Sequence, residues 1–124
     1  KTEDYVMELK MVLSDGNEYL IKSLTKDELD KKLKQGDFEG EIYRKLYKLV
    51  TENAELLKTV KPKVSKNSAG YYLWNVWDSD HFDLTKLLVG SQGTLGIITE
   101  IKFRLIKPKA YSQLLVIFLK ADLP

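Results

Sequence analysis

Three glycines fall within seven residues at Gly90-Ser91-Gln92-Gly93-Thr94-Leu95-Gly96, between a helical apolar pattern and an alternating one. Glycine permits positive φ and lets a ligand or a second backbone come close, so main-chain chemistry is best placed here. The segment is not a phosphate-cradling Walker loop, because no Gly-Lys-Ser or Gly-Lys-Thr follows, and its spacing is not the dinucleotide fingerprint. By spacing alone, a purely structural turn and a wall for a bound molecule both stay open.

Other chemistry-bearing residues are sparse. His81, within Trp77-Asp78-Ser79-Asp80-His81-Phe82-Asp83, has the residue type of a general base or metal ligand, but one imidazole among loop acids is more often a solvated surface group. Cysteine is absent and His81 is the single histidine, which excludes thiolate zinc, iron-sulfur and multi-imidazole sites within these residues. Tyr71, Tyr72, Trp74 and Trp77 bring much area to a core, a partner or a ligand ring, with packing the favoured use. Lys61, Lys63 and Lys66 beside the tyrosines have the composition of a single-stranded nucleic-acid surface, although three loop lysines are more often plain surface.

The elements that position these residues follow from periodicity. Tyr5, Met7, Leu9, Met11 and Leu13 fall at every second position with Glu8 and Lys10 between them, Ser14-Asp15-Gly16-Asn17 supplies a tight turn, and residues 18–24 resume, which predicts a β-hairpin. Thr25-Lys26-Asp27-Glu28 matches a capping box opening a short helix to about Lys34. Gly36 and Gly40 punctuate the chain before a long amphipathic helix over 41–59, broken near Asn53, with Lys45, Lys48, Glu52 and Glu55 on a solvated face. Pro62 ends it, and a loop-rich stretch runs from Val64 to Phe82. Asp83 caps a short helix through Leu84, Leu87 and Leu88. Ile97, Thr99, Ile101, Phe103 and Leu105 then alternate in a strand ending at Pro108, and Leu114 to Leu119 has the continuous apolar character of a strand buried on both faces.

Hairpin, helix, helix, strand and strand in that order predict an α+β fold, an antiparallel sheet of about four to five strands with helices packed on one face. A chain of 124 residues with 44% hydrophobic side chains suits one domain with a real core. Its 20 basic and 18 acidic residues leave a formal charge of +2, which gives no broad electrostatic case for nucleic acid or an anionic membrane. No run is long enough to span a bilayer.

The wording of one segment says more than its spacing. Leu84-Thr85-Lys86-Leu87-Leu88-Val89-Gly90-Ser91-Gln92-Gly93-Thr94-Leu95-Gly96-Ile97-Ile98-Thr99-Glu100 closely resembles the Gly-Ser-Glu-Gly-Thr-Leu-Gly-Ile-Ile-Thr-Glu stretch of FAD-linked oxidases with a p-cresol methylhydroxylase-type FAD-binding domain. Tyr5 to Gly16 resembles the strand and turn opening that family's second subdomain, Lys66 to Leu73 its Lys-Asn-x-x-Gly-Tyr-x-Leu stretch, and Ile101 to Pro108 the following strand. The family includes D-lactate dehydrogenases, glycolate oxidase subunits, other D-2-hydroxy acid dehydrogenases and alkyl-dihydroxyacetonephosphate synthases.

The resemblance implies that FAD lies along Gln92, Gly93, Thr94, Leu95, Gly96, Ile97 and Ile98, largely through main-chain groups. Gln92 stands where the family has glutamate, which removes a carboxylate but leaves a backbone contact possible. On this basis residues 1–124 are expected to be the carboxyl-terminal part of an FAD-binding domain cut at both ends, with 109–124 leading into a substrate or cap domain. The parent would be a flavoprotein oxidoreductase acting on a small 2-hydroxy acid or alcohol, cytoplasmic or peripheral to a membrane. The chain alone is expected to be inactive, with no catalytic or metal-binding residue of its own, because the pyrophosphate-gripping first subdomain and the cap are its missing partners. A homodimer through an exposed sheet edge is a further expectation. The alternative is a non-enzymatic α+β interaction module in which the Gly-rich loop is structural and Tyr71 to Trp77 faces a partner. A complete small enzyme of another class is disfavoured by the lack of any known catalytic spacing.

Overall fold

The structure, a computed structural model, describes residues 1–64 and 69–118. Four strands, β1 (Val6–Val12), β2 (Glu18–Thr25), β3 (His81–Asp83) and β4 (Ile97–Phe103), form one sheet in the order β3-β2-β1-β4. Every pairing is antiparallel. The helices are α1 (Lys26–Leu33), α2 (Phe38–Glu52), α3 (Ala54–Val60) and the single-turn α4 (Thr85–Leu88). The α+β class, and a sheet covered by helices on one face, are as the sequence predicts.

The hairpin forms where alternation and Asp15-Gly16 place it. Gly16 takes φ +81°, and the Asp15 carboxylate accepts from the Asn17 amide at 3.2 Å and the Tyr19 hydroxyl at 2.5 Å. Irregular pairing between Val6 and Glu8 changes the phase of β1, so Val6 is buried and Met7 is 48% exposed, against simple alternation. At α1 the capping box closes as predicted, with the Thr25 hydroxyl taking the Glu28 amide and the Glu28 carboxylate taking the Thr25 amide. The second helix starts earlier than expected. Asp37 caps it by accepting the Gly40 amide at 2.9 Å, and Gly40 lies inside the first turn, where a side chain would collide with Gln35. Gly40 therefore permits a close turn rather than interrupting the chain. Asn53 separates α2 from α3, at the expected break.

Two expectations fail. The stretch 64–82 contains the start of β3, which three residues cannot announce by periodicity. It forms because Asp78 accepts the Asp80 and His81 amides at 3.0 and 2.6 Å, folding residues 76–78 back on 81–83, while β2 pairs with its other edge. The apolar run from Leu114, within the described residues to Phe118, forms no strand, and Leu114 and Phe118 are 88% and 92% exposed. A strand buried on both faces needs neighbouring strands and a layer over each face, and the described residues supply neither. Leu119 lies outside them.

Leu9, Met11, Ile21, Leu24 and Phe82 from the sheet meet Leu29, Tyr43 and Leu84 from the helical side, and all are buried. The opposite face is polar and carries Lys10–Glu100 at 2.7 Å, Lys102–Glu8 at 3.1 Å and a Thr99–Glu18 hydrogen bond at 2.6 Å. A register shift between Lys10 and Met11 sets Ile98, Ile101 and Phe103 opposite buried residues of β1, so Ile97 and Thr99, expected on one face with Ile101, leave it: Ile97 pairs with Val12 and is 70% exposed, and Thr99 bonds Glu18. The helical layer stops short of β4, and those three apolar side chains remain 39–45% exposed.

Candidate functional site

The Gly-rich segment leaves α4 and makes a four-residue turn over 91–94. Gln92 and Gly93 have φ of +55° and +76°, and the Thr94 amide donates to the Ser91 carbonyl at 3.1 Å. Two successive positive φ values are the type I′ pattern, which favours glycine at the second centre and strains a glutamine at the first. Ser91 is buried and anchors the turn by donating its amide to Leu88 at 3.1 Å. Thr94 closes it by donating its hydroxyl to the Ser91 carbonyl at 2.6 Å. Tyr71 meets that same hydroxyl at 2.8 Å. Since the single Thr94 proton goes to Ser91, the phenol is the donor to Thr94.

The glycines divide by role. A Cβ on Gly96 would lie 2.7 Å from the Val12 carbonyl and 2.8 Å from the Met11 methyl, so this residue serves the crossing of the chain onto β1. A Cβ on Gly93 would meet nothing within 4 Å, and the space there is open. Gln92, Gly93 and Thr94 are exposed, and among the described residues the amides of Gln92 and Gly93 have no hydrogen-bond partner. Leu95 turns inward and, with Leu13, Ile42, Leu46 and Leu88, lines an apolar cleft of about 310 Å³. Ile97 and Ile98, at 70% and 39% exposed, continue the surface into β4.

Gln92, Gly93, Thr94, Ile97 and Ile98 are thus exposed, whereas Leu95 and Gly96 are partly covered. Asp83 accepts from the Thr85 amide and hydroxyl at 3.0 and 2.6 Å and so steadies the entry to α4, but the N-cap position is Leu84, one residue later than expected. His81 is exposed, its Nδ1 3.8 Å from Asp78 Oδ1, which fits the solvated reading. Among the described residues, no cluster of three or more His, Cys, Asp or Glu side chains is arranged to hold a metal. No helix among them is long and apolar enough to cross a membrane. Trp77 packs against Tyr47 and Phe82, with ring centres 5.8 and 6.1 Å apart, so that part of the aromatic stretch belongs to the core. Lys61 and Lys63 are exposed, whereas Lys66 and Asn67 lie outside the described residues. The Tyr71–Thr94 contact joins residues 23 apart, a pairing that periodicity cannot reveal.

No family model matches the sequence, and no solved structure matches it. Among curated proteins, the chain is 30% identical over 115 residues to D-2-hydroxyglutarate dehydrogenase of Pseudomonas putida, covering 92% of this chain and 11% of that protein. It is 41% identical over 69 residues to the mitochondrial D-lactate dehydrogenase [cytochrome] of Arabidopsis thaliana, covering 56% of this chain and 10% of that protein. Glycolate oxidase subunit GlcD of Bacillus subtilis is 37% identical over 75 residues, or 60% of this chain and 13% of that subunit. The chain therefore spans about a tenth of the length of the curated relatives it matches, 11% for the Pseudomonas protein and 10% for the Arabidopsis one. By name, the three relatives are oxidoreductases of 2-hydroxy acids.

Proposed function

We propose that this chain is the second part of a p-cresol methylhydroxylase-type FAD-binding domain, within a flavin-dependent dehydrogenase or oxidase of D-2-hydroxy acids. The observation that carries the proposal is the exposed turn at Gln92 and Gly93, two unpaired amides beside open space, followed by the exposed side chain of Ile97. Such a surface suits a cofactor with hydrogen-bond acceptors and flat apolar rings. The relatives' activities on D-2-hydroxyglutarate, D-lactate and glycolate support it from an independent direction.

In this proposal the Gln92 and Gly93 amides donate to acceptor atoms of FAD, Ile97 packs on one of its ring faces, Ile98 offers main-chain groups, and Gly96 keeps the turn seated on β1. FAD when bound accepts a hydride equivalent from the substrate, and the protein supplies orientation and electrostatics. Residues 109–124 lead into the cap domain, the first subdomain grips the pyrophosphate, and the chain alone is inactive. The parent works in the cytoplasm or at the surface of a membrane.

The test is to titrate the isotopically labelled chain with FAD and follow its backbone amides by NMR. Saturable shifts centred on Gln92 to Ile98, abolished by Gly93→Val, are expected. Saturable shifts elsewhere that leave those residues untouched, or shifts at those residues that persist in Gly93→Val, would overturn the assignment.

A further inference from the structure

The turn over 91–94 holds a backbone geometry that its sequence does not favour. Gln92 stands at φ +55° and Gly93 at +76°, and the left-handed region is unfavourable for any residue with a side chain. Strain of this kind persists only where the surrounding bonds over-determine the backbone. Released, Gln92 would relax to negative φ, which rotates the peptide plane between Gln92 and Gly93 and turns their amides away from a shared direction. The outward pair of free amides therefore depends on whatever fixes the ends of the turn.

Both ends are tied through one oxygen. The Ser91 carbonyl accepts the Thr94 amide at 3.1 Å and the Thr94 hydroxyl at 2.6 Å. That hydroxyl oxygen in turn meets the Tyr71 phenol at 2.8 Å, with its own proton already committed to Ser91, so the bonds run in one chain from Tyr71 to Thr94 to Ser91. A tie restrains only if its far end is fixed, and here it is. Five residues after Tyr71, Val76 is fully buried and its carbonyl accepts the Asp83 amide at 2.7 Å, Trp77 packs on Tyr47 and Phe82, and Tyr72 meets Trp74 edge-on with ring centres 5.4 Å apart. The aromatic stretch thus carries the rigidity of the core out to the Gly-rich turn.

We propose that Tyr71 is a positioning residue for this surface: acting through Thr94, its hydroxyl keeps Gln92 in the left-handed region, so that the Gln92 and Gly93 amides meet acceptor atoms of the cofactor together. The inference rests on the flavin reading for what is bound, whereas the hold on Gln92 stands on the bonds alone.

The experiment compares the nitrogen-labelled chain with Tyr71→Phe, which keeps the ring and removes the hydroxyl. The NMR proximity signal between the Gln92 amide proton and its own α proton, strong for left-handed backbone and weak at negative φ, should be strong in the unaltered chain and weakened in Tyr71→Phe. It is read in the folded chain, so a small loss of global stability does not mimic it. Titration of the same samples with FAD, followed at the Gln92 and Gly93 amides, should show Tyr71→Phe about three- to tenfold weaker, the range one hydrogen bond sets. Thr94→Ser, which keeps the hydroxyl, should retain both readouts, and Tyr71→Phe should add nothing to Thr94→Val, because both act through the same oxygen. An unaltered Gln92 signal in Tyr71→Phe overturns the proposal with or without FAD, as does an unaltered FAD affinity once that signal is lost. Saturable shifts of the unaltered chain that bypass Gln92 to Ile98 defeat the flavin reading, and with it the binding half of the proposal, while the Gln92 signal still decides the hold.

Discussion

Gly93 and Gly96 are three residues apart and do different work, which substitution would separate. Alanine at Gly96 would press on the Val12 carbonyl, a backbone atom that cannot rotate away, at φ +153°. Alanine at Gly93 meets open space, and its cost is only the left-handed backbone at φ +76°, ~1–2 kcal/mol. Gly96→Ala should therefore destabilise the chain by a further ~1–3 kcal/mol, the range for overpacking. Urea midpoints of the two variants would check the order, and equal midpoints would remove the crossing role given to Gly96. The sequence announced that this segment was glycine-dependent, and its resemblance to FAD-linked oxidases suggested why. Spacing did not distinguish the glycine that lies on another backbone from the one that faces solvent, because that difference depends on where β1 runs.

Glu28 shows how one element's chemistry sets a pH dependence. The backbone amide of Thr25, then the Lys22 ammonium at 2.9 Å, hold its carboxylate ionised and lower its pKa from the ordinary 4.5 to about 2. A depressed folded pKa stabilises the capped helix fully above pH 4.5, and that contribution is lost as pH falls toward 2. Protection against hydrogen exchange at the first turn of α1, taken relative to the unfolded chain at the same pH, should fall over that window in the native chain, and Glu28→Gln should flatten the dependence. An unchanged profile in Glu28→Gln would assign the effect elsewhere. This element was legible because a capping box is local, as were the hairpin and the break at Asn53. β3 was not, since three residues at 81–83 owe their strand to β2 and to the Asp78 turn. The start of α2 was missed for a related reason. Glycine reads as a stop signal, and the space that makes Gly40 useful inside a helix belongs to Gln35.

At the scale of the whole molecule, the sheet is covered unevenly. β4 lies at its edge with Ile98, Ile101 and Phe103 half open, and beyond it Leu105, Tyr111, Leu114, Leu115 and Phe118 are each more than 80% exposed. Soluble monomers seldom show contiguous apolar patches above a few hundred Å². The 124-residue chain should self-associate as its concentration rises, and replacing Leu114 and Phe118 together by lysine should reduce that association, as read by light scattering. A single monomeric species at every concentration would remove the expected edge-mediated dimer. Strands β1, β2 and β4 were foreseeable from alternation, but the partner of the 114–118 run was not, because apolar content shows that a segment needs covering without saying by what. The seat of Gly96 has a mechanical consequence. Val12 lies two residues before Ser14, so the tip of the first hairpin and the solvent-facing turn at Gln92 share a fulcrum. A substitution that displaces the Val12 carbonyl is therefore expected to disturb the hairpin tip and the seat of Gly96 together.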